Sequence, residues 1–496
     1  MTSTVEQTHA TPSHYDQRWL ALVVIAIAQL MVVLDASIVN IAMPSAQADL
    51  GITDADRQWI ITAYTLAFGG LLLLGGRIAD YAGRKRMFIV GLIGFAAASA
   101  LGGVAVNAAM LYGARALQGA FAALLAPAAL SLVTVTFTEA KERARAFGVY
   151  GAISGGGLAI GLIVGGVLTE YASWRWCLLV NVPVAVIAAL GAVRFLGESR
   201  AQGDTRYDIP GAVLVTAGLV SLVYGFTEAA KEGSGWLAPT TLGFLGAALV
   251  LLAAFVVVEL RSSHPLLPMR IVLDGNRGGS YVAALLTGAA MFGVFLFLTY
   301  YFQVNLGYSA LKTGFAFLPL SAGIIVTAAV VSQLMPRTGP KPLMLIGFSL
   351  AIVGMLLFTQ LDMSSSWTLH VLPSEILLSV GLSFVFVPMS ALALVGIGNH
   401  DAGVASAMLN ATQQVGGSLG TALLNTIYTS AVTGYIAAHL AGAASPAQVQ
   451  TEAFLHGYRV AYVVSAALLV AALAVVALLV KAKKEDLKAD ATLAMH

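Results

Sequence analysis

The stretch WLALVVIAIAQLMVVLDASIVNIAM, from Trp19 to Met43, carries one charged residue, Asp35, in an otherwise oily run. At 1.5 Å per residue it is long enough to cross about 30 Å of hydrocarbon. It is too long for a signal-peptide core and has no small-residue cleavage pattern, so it reads as a retained membrane helix. The polar residues before it, 1–18, read as a short cytoplasmic tail. The rest of the chain has the same character: apolar residues make up 58% and charged residues 10%, against about 25% charged in a soluble domain. A net charge of +2, with no basic tract beyond Lys481, Lys483, Lys484 and Lys488, gives no footing for nucleic acid. The single cysteine, Cys177, excludes an internal disulfide and a cysteine-based metal cluster.

Windows of about 20 apolar residues divide the chain into fourteen predicted spans. Spans 1 to 6 cover 19–43, 57–76, 87–106, 109–136, 145–168 and 176–196. Spans 7 and 8 cover 210–229 and 238–260. Spans 9 to 14 cover 278–304, 312–335, 342–361, 370–396, 402–434 and 457–480. With the N-terminus inside, the even-numbered gaps and the tails hold 20 of the 26 Lys and Arg, including the cluster Arg84, Lys85 and Arg86. This is the bias that the positive-inside rule requires, and it places both termini in the cytoplasm. The predicted organisation is a six-helix bundle over 19–200, two inserted helices over 201–270, a second six-helix bundle over 271–481 and a cytoplasmic tail over 482–496. Span 4 carries Arg115, Gly119 and Pro127; span 12 carries Glu375, Gly381 and Pro388. This weak repeat of charge, glycine and proline fits two equivalent halves around a midplane site, the usual transporter plan.

Several segments carry a more specific signal. Span 1 ends Leu34-Asp35-Ala36-Ser37-Ile38-Val39-Asn40-Ile41-Ala42-Met43-Pro44, and the gap after span 2 reads Gly76-Arg77-Ile78-Ala79-Asp80-Tyr81-Ala82-Gly83-Arg84-Lys85-Arg86. Span 4 holds Leu111-Tyr112-Gly113-Ala114-Arg115-Ala116-Leu117-Gln118-Gly119. Span 5 and its exit hold Gly161-Leu162-Ile163-Val164-Gly165-Gly166, Ser173-Trp174-Arg175-Trp176 and Asn181-Val182-Pro183. Ala402-Gly403-Val404-Ala405-Ser406 and Gln413-Gln414-Val415-Gly416-Gly417 open and continue span 13. Together these resemble the 14-helix drug:proton antiporter family of the major facilitator superfamily, over nearly the whole chain. The resemblance implies an all-α major facilitator fold, multidrug efflux and a bacterial plasma-membrane location. One departure stands out: the family's antiporter motif usually has proline after its first glycine, where this chain has Leu162.

The residues themselves suggest the chemistry. Asp35 sits roughly 12 Å inside the outer end of span 1 and Arg115 roughly 9 Å inside that of span 4. Either charge alone costs on the order of 2.5–3.5 kcal/mol or more within the bilayer, so pairing towards the bundle interior is expected. Asp35 then becomes the candidate proton carrier, since burial favours its protonated form and a nearby guanidinium opposes it. A permanent pair that only fixes two helices is the alternative. Glu375, the second intramembrane acid, is a candidate substrate or second proton site, or an interfacial residue in water. Gly76, Asp80, Gly83 and Arg84 are read as a cytoplasmic latch. The glycines allow tight turns, Asp80 can accept from a helix N-terminus, which the resemblance places near Asp401, and Arg84 pairs with Glu139 or Glu142; the alternative is that Arg84, Lys85 and Arg86 only anchor the loop inside. Gly157, Gly161, Gly165 and Gly166 form a smooth face for close packing, which by resemblance meets the second half. Gln29, Asn40, Gln118, Phe292, Phe295, Tyr300, Asn410 and Gln413 are candidate cavity-lining residues, aromatics suiting varied lipophilic guests.

No phosphate-binding Gly-rich loop, HExxH sequence, Cys/His metal spacing or GxSxG elbow occurs, so neither ATP, a cofactor, a metal nor hydrolytic chemistry is called for. The expected function is a monomeric, proton-coupled exporter of small lipophilic or cationic compounds in the lipid bilayer. An exporter of one metabolite, an uptake symporter, a channel and a membrane-embedded enzyme are the rival readings.

Overall fold

The computed structural model describes residues 14–482 apart from 138, 201–207, 232–233, 263–264, 268, 396–401 and 440–444. The described residues are helical, joined by short turns, with no strand among them. In chain order the helices are α1 His14–Leu50, α2 Trp59–Ala82, α3 Arg84–Gly103, α4 Ala108–Thr136, α5 Ala140–Tyr171, α6 Trp176–Leu179 and α7 Asn181–Phe195. An inserted hairpin follows, α8 Ile209–Ala229 and α9 Pro239–Arg261. Then come α10 Met269–Val272, α11 Gly275–Tyr300, α12 Ala310–Ala316, α13 Leu318–Thr338, α14 Pro340–Phe358, α15 Leu372–Leu392, α16 Ala402–His439 and α17 Pro446–Leu479.

Twelve helical segments among the described residues are long and apolar enough to cross a membrane. The two of the fourteen predicted spans that miss this measure fall on α5 and α16. In α5 the apolar stretch that meets the measure's composition is Gly156–Tyr171, and the helix carries no charged residue from 146 to 169. In α16, hydroxyl and amide side chains from Ser406 to Thr433 dilute the apolar content of a 38-residue helix.

Polar side chains set several helix starts. Asn107, Asp208, Asp274, Ser309 and Ser445 each accept from a backbone N–H of the first turn of α4, α8, α11, α12 and α17. Gly83, at φ +116°, makes the sharp break between α2 and α3, a backbone region that side chains disfavour. The N-terminus of α3 is met by Glu198, whose carboxylate accepts from the backbone N–H groups of Lys85 and Arg86, both at 3.2 Å. An anion there complements the helix dipole. Glu198→Gln is expected to lower stability by about 0.3–1 kcal/mol, read as a small fall in melting temperature in detergent.

Helices α1 to α7 pack on one another, as do α11 to α17, and α8 lies against both α2 and α16. Glycines bring the crossing helices close. A Cβ on Gly75 would lie 2.2 Å from the carbonyl oxygen of Ala123, and one on Gly119 would lie 2.2 Å from that of Tyr64. The interface of α2 with α4 is therefore backbone against backbone, the packing that small residues allow when lipid supplies no hydrophobic drive.

Candidate functional site: a buried ion pair beside a central cavity

Asp35 and Arg115 meet. Arg115 Nη1 donates to Asp35 Oδ2 at 2.7 Å, with both side chains shut away from solvent. The other carboxylate oxygen, Oδ1, accepts from Gln118 Nε2 at 3.0 Å and from Asn181 Nδ2 at 2.8 Å. Ser99 Oγ lies against both amides. Arg115 Nε donates to the carbonyl of Ile60 at 3.0 Å, and its guanidinium carbon stands 4.5 Å from the ring centre of Tyr64. Five helices thus converge on one carboxylate: α1 supplies it, and α2, α3, α4 and α7 hold it. Its two oxygens together accept three donors, two at Oδ1 and one at Oδ2.

A cavity of about 1050 Å³ lies next to the pair, with Tyr64 between them. Its deep walls include Gln29, Asn40, Phe68, Met291, Phe292, Phe295, Asn410 and Gln413, with Tyr150 donating to Gln29 at 2.6 Å. It extends to the end of the bundle that carries the Arg84-Lys85-Arg86 loop, here the basic end. Arg77, Asp80, Arg84, Pro265 and Arg270 line it there. Asp80 is the one acid among the described lining residues, and it is paired with Arg84. The interior is therefore aromatic and amide-lined, suited to guests with flat apolar faces and a few hydrogen-bonding groups.

The opposite end is shut by contacts between the first six spans and the last six. Tyr300 hydrogen-bonds Gln47, Gln303 Nε2 donates to the carbonyl of Ile41 at 3.0 Å, and Leu311 N–H donates to Glu170 at 3.0 Å. Gly166 and Gly314 let α5 and α12 touch through backbone: a Cβ on either would lie within 2.6 Å of Leu311 or Leu162.

Several predicted site residues fall elsewhere than expected. Gln118 and Tyr300 do not line the cavity: the first bonds Asp35 and the second sits in the closed far end. Phe292 and Phe295 reach the cavity, but Phe297, Tyr301 and Phe302 of the same aromatic run turn into the core. Glu375 is not at a watery interface and not on the cavity. It is fully buried, and neither carboxylate oxygen has a hydrogen-bond partner among the described residues. It shares a four-residue repeat with Ser379 and Ser383, whose hydroxyls face α13 at Gly323 and the carbonyl of Ile324.

The latch residues also pair differently. Arg84 Nε bonds Asp80 Oδ1 at 2.8 Å, one helical turn away across the break at Gly83. Glu142 pairs instead with Arg18 of α1 at 3.2 Å, and Glu139 is exposed at the start of α5. Among the described residues Asp80 meets Ser131 of α4 at 3.4 Å, and Glu198 meets the N-terminus of α3. The expected neighbour Asp401 lies outside the described residues. Gly76 makes no turn: it is inside α2, facing Pro127. The cavity fills the space between α2 and the second half at this end, which separates partners that a closed end would bring together.

The glycine face of α5 meets the first half rather than the second. Gly157, Gly161 and Gly165 pack on Val33, Ser37 and Ile38 of α1, while Gly166 alone of the four meets α12. A four-residue stripe faces one neighbour, and the next residue turns about 100° away to another.

Comparison with known proteins agrees with this architecture. The sequence profile of the Major Facilitator Superfamily matches residues 25–421. The puromycin resistance protein of Streptomyces alboniger is 50% identical over 464 residues, covering 92% of this chain and 91% of its own. The cephamycin export protein of Amycolatopsis lactamdurans is 40% identical over 418 residues, covering 84% and 86%. A crystal structure of a bacterial homolog of the human lysosomal transporter Spinster superposes with a TM-score of 0.65 at 16% identity, covering 96% of this chain and 98% of that one. A helical bundle around a guest-sized cavity, matched along most of its length by the superfamily profile, defines a membrane transporter as the class. The chain belongs to the Major Facilitator Superfamily, among relatives that confer antibiotic resistance or export antibiotics.

Proposed function

We propose that this protein exports small lipophilic or cationic molecules across the plasma membrane in exchange for protons, by alternating access. The buried Asp35–Arg115 pair beside a guest-sized cavity carries this reading. In this reading α5 and α16 also cross the bilayer, giving fourteen spans, and the basic end and both termini face the cytoplasm. The halves 19–200 and 271–481 rock about the cavity, with 201–270 as the inserted pair, and the protein works as a monomer.

Seen this way, the shape described is the cytoplasm-open form with its proton already released, since Asp35 is held by three donors. Guest enters from the cytoplasm among Phe292, Phe295, Gln29 and Gln413. Closing the basic end and parting the far end loosens the α1–α4 contact, and Asp35 takes a proton from outside. One charge moving across 100 mV supplies about 2.3 kcal/mol, and no ATP is needed. Gly76, Asp80, Gly83 and Arg84 act at the basic end in the closed form, Asp80 exchanging Arg84 for a partner on the second half. Glu375, buried without a partner, is a second acid able to change protonation as α13 and α15 slide. The relatives' resistance and export activities support antibiotic-like guests.

The direct test is uptake into inside-out vesicles with an imposed pH gradient, using a fluorescent lipophilic dye. Saturable accumulation that a protonophore abolishes is expected; equal accumulation without the gradient removes the proton scheme. Phe292→Ala and Phe295→Ala are expected to cut export of aromatic guests several-fold while changing the set of drugs resisted. A resistance profile across drug classes checks this, and uniform loss for every drug would instead indicate a folding defect.

A further inference from the structure

We propose that Arg57 is the bolt of the far end: its guanidinium crosses from the first half into an aromatic cage of the second, and the end parts when it leaves. This rests on the alternating-access reading above.

By its place in the turn between α1 and α2, Arg57 looks like an ordinary loop charge. In the folded chain its side chain is buried, with 2% exposure. Its guanidinium carbon lies 4.1 Å from the ring centre of Tyr300 on α11 and 4.9 Å from that of Tyr428 on α16. Tyr428 is itself stacked between Phe297 and Tyr458, at 5.3 and 5.1 Å. Arg57 Nε donates to Asn425 Oδ1 at 3.1 Å, and Asn425 Nδ2 returns a bond to the carbonyl of Asp54 at 2.8 Å. The turn is braced from its own half by Tyr112, which donates to the carbonyl of Asp56 at 3.2 Å.

What holds the cation is unusual for a buried arginine. The charge closest to it, Asp54, is 3.5 Å away and half exposed, so that pair contributes little. Nη2 has no acceptor among the described residues. Two ring faces and one amide therefore do most of the holding. A guanidinium is weakly hydrated and suits ring faces, and a desolvated cation–π contact is substantial. The same cation is readily solvated once the end opens, because no full salt bridge has to break. Such a contact can close and release in each cycle, whereas a deep ion pair would lock.

The test is a distance measurement that does not depend on which end faces the cytoplasm. In a Cys177→Ser background, spin labels go on Val106→Cys and Leu369→Cys, both strongly exposed at the far end, one on each half. The unaltered cage is expected to give mainly the short distance. Arg57→Ala and Tyr428→Leu are expected to raise the ratio of long to short distances about tenfold. Tyr428→Phe, which keeps the ring face, is expected to leave the ratio unchanged, and Arg57→Lys to fall between. Monodispersity of each variant shows that it is folded. The proposal is overturned if folded Arg57→Ala or Arg57→Lys keeps the native distribution, or if Tyr428→Phe opens the end as far as Tyr428→Leu. A distance response without gradient-driven export would keep the bolt and remove the transport reading; export without a distance response would do the reverse.

Discussion

Asp35→Asn is expected to reduce gradient-driven export to background while the cavity continues to bind its guests. The carboxylate is the acceptor for Arg115, Gln118 and Asn181 together. An amide is nearly the same shape but cannot take up or release a proton, and its NH₂ must face one of those donors. Removing one partner of a buried ion pair costs about 3–5 kcal/mol, because the remaining charge is left uncompensated. Loss of transport alone would therefore not separate coupling from folding. The double variant Asp35→Asn/Arg115→Gln removes both charges and is expected to regain most of the melting temperature without regaining transport. Flux in vesicles under a pH gradient, read beside a thermal melt and dye binding, distinguishes the two. Near-normal flux from folded Asp35→Asn would leave the pair as a structural tie between α1 and α4.

The second large effect is structural and reaches the same site. Gly119→Val puts a branched side chain where a Cβ would already lie 2.2 Å from the carbonyl oxygen of Tyr64. That atom is backbone inside α2 and cannot swing aside, so α2 and α4 must separate. Overpacking of this kind costs about 1–3 kcal/mol and sometimes more. Separation would also stretch the bond from Arg115 to Ile60 and lift Tyr64 off the guanidinium. The expected outcome is a low yield of folded protein and loss of transport in whatever folds. Gly161→Ala is a useful contrast. Its Cβ would lie 1.9 Å from Ser37 Oγ, a side-chain atom. Pairing it with Ser37→Ala is expected to restore most of the melting temperature, and no comparable partner change rescues Gly119→Val.

The ion pair was legible from residues alone because depth along an apolar helix is a simple count, and two lone charges at one depth have strong reason to meet. Its other holders were not. Asn181 stood in a quoted motif without a role, and Ser99 and Tyr64 look like ordinary residues until five helices are brought into register. The same limit holds for Arg57, which in the sequence is no more than a charge beside the start of span 2. A loop charge and a buried gate residue look alike until the partner's rings are in place. The glycine stripe of α5 announced close packing, but periodicity says nothing about which neighbour it meets. For the loop at Gly83, the motif suggested contacts that suit a closed basic end, whereas the folded chain has that end open. Sequence marks what can pair, and the conformation decides which pairs form.

The inserted hairpin has a consequence for the outer face of the bundle. Gln58 of the turn before α2 bonds Thr227 of α8, and Thr426 of α16 bonds the carbonyl of Phe226, both at 2.7 Å. Leu219 and Val223 fill the space between with Leu66 and Ala422. Where the two six-helix groups adjoin along α2 and α16, polypeptide thus takes the place of acyl chains, while the other flank, along α5 and α13, has no such cladding. The perimeter is lopsided: one seam between the groups is screened from lipid by a helix pair, and the other is faced by α5, α12 and α13 themselves.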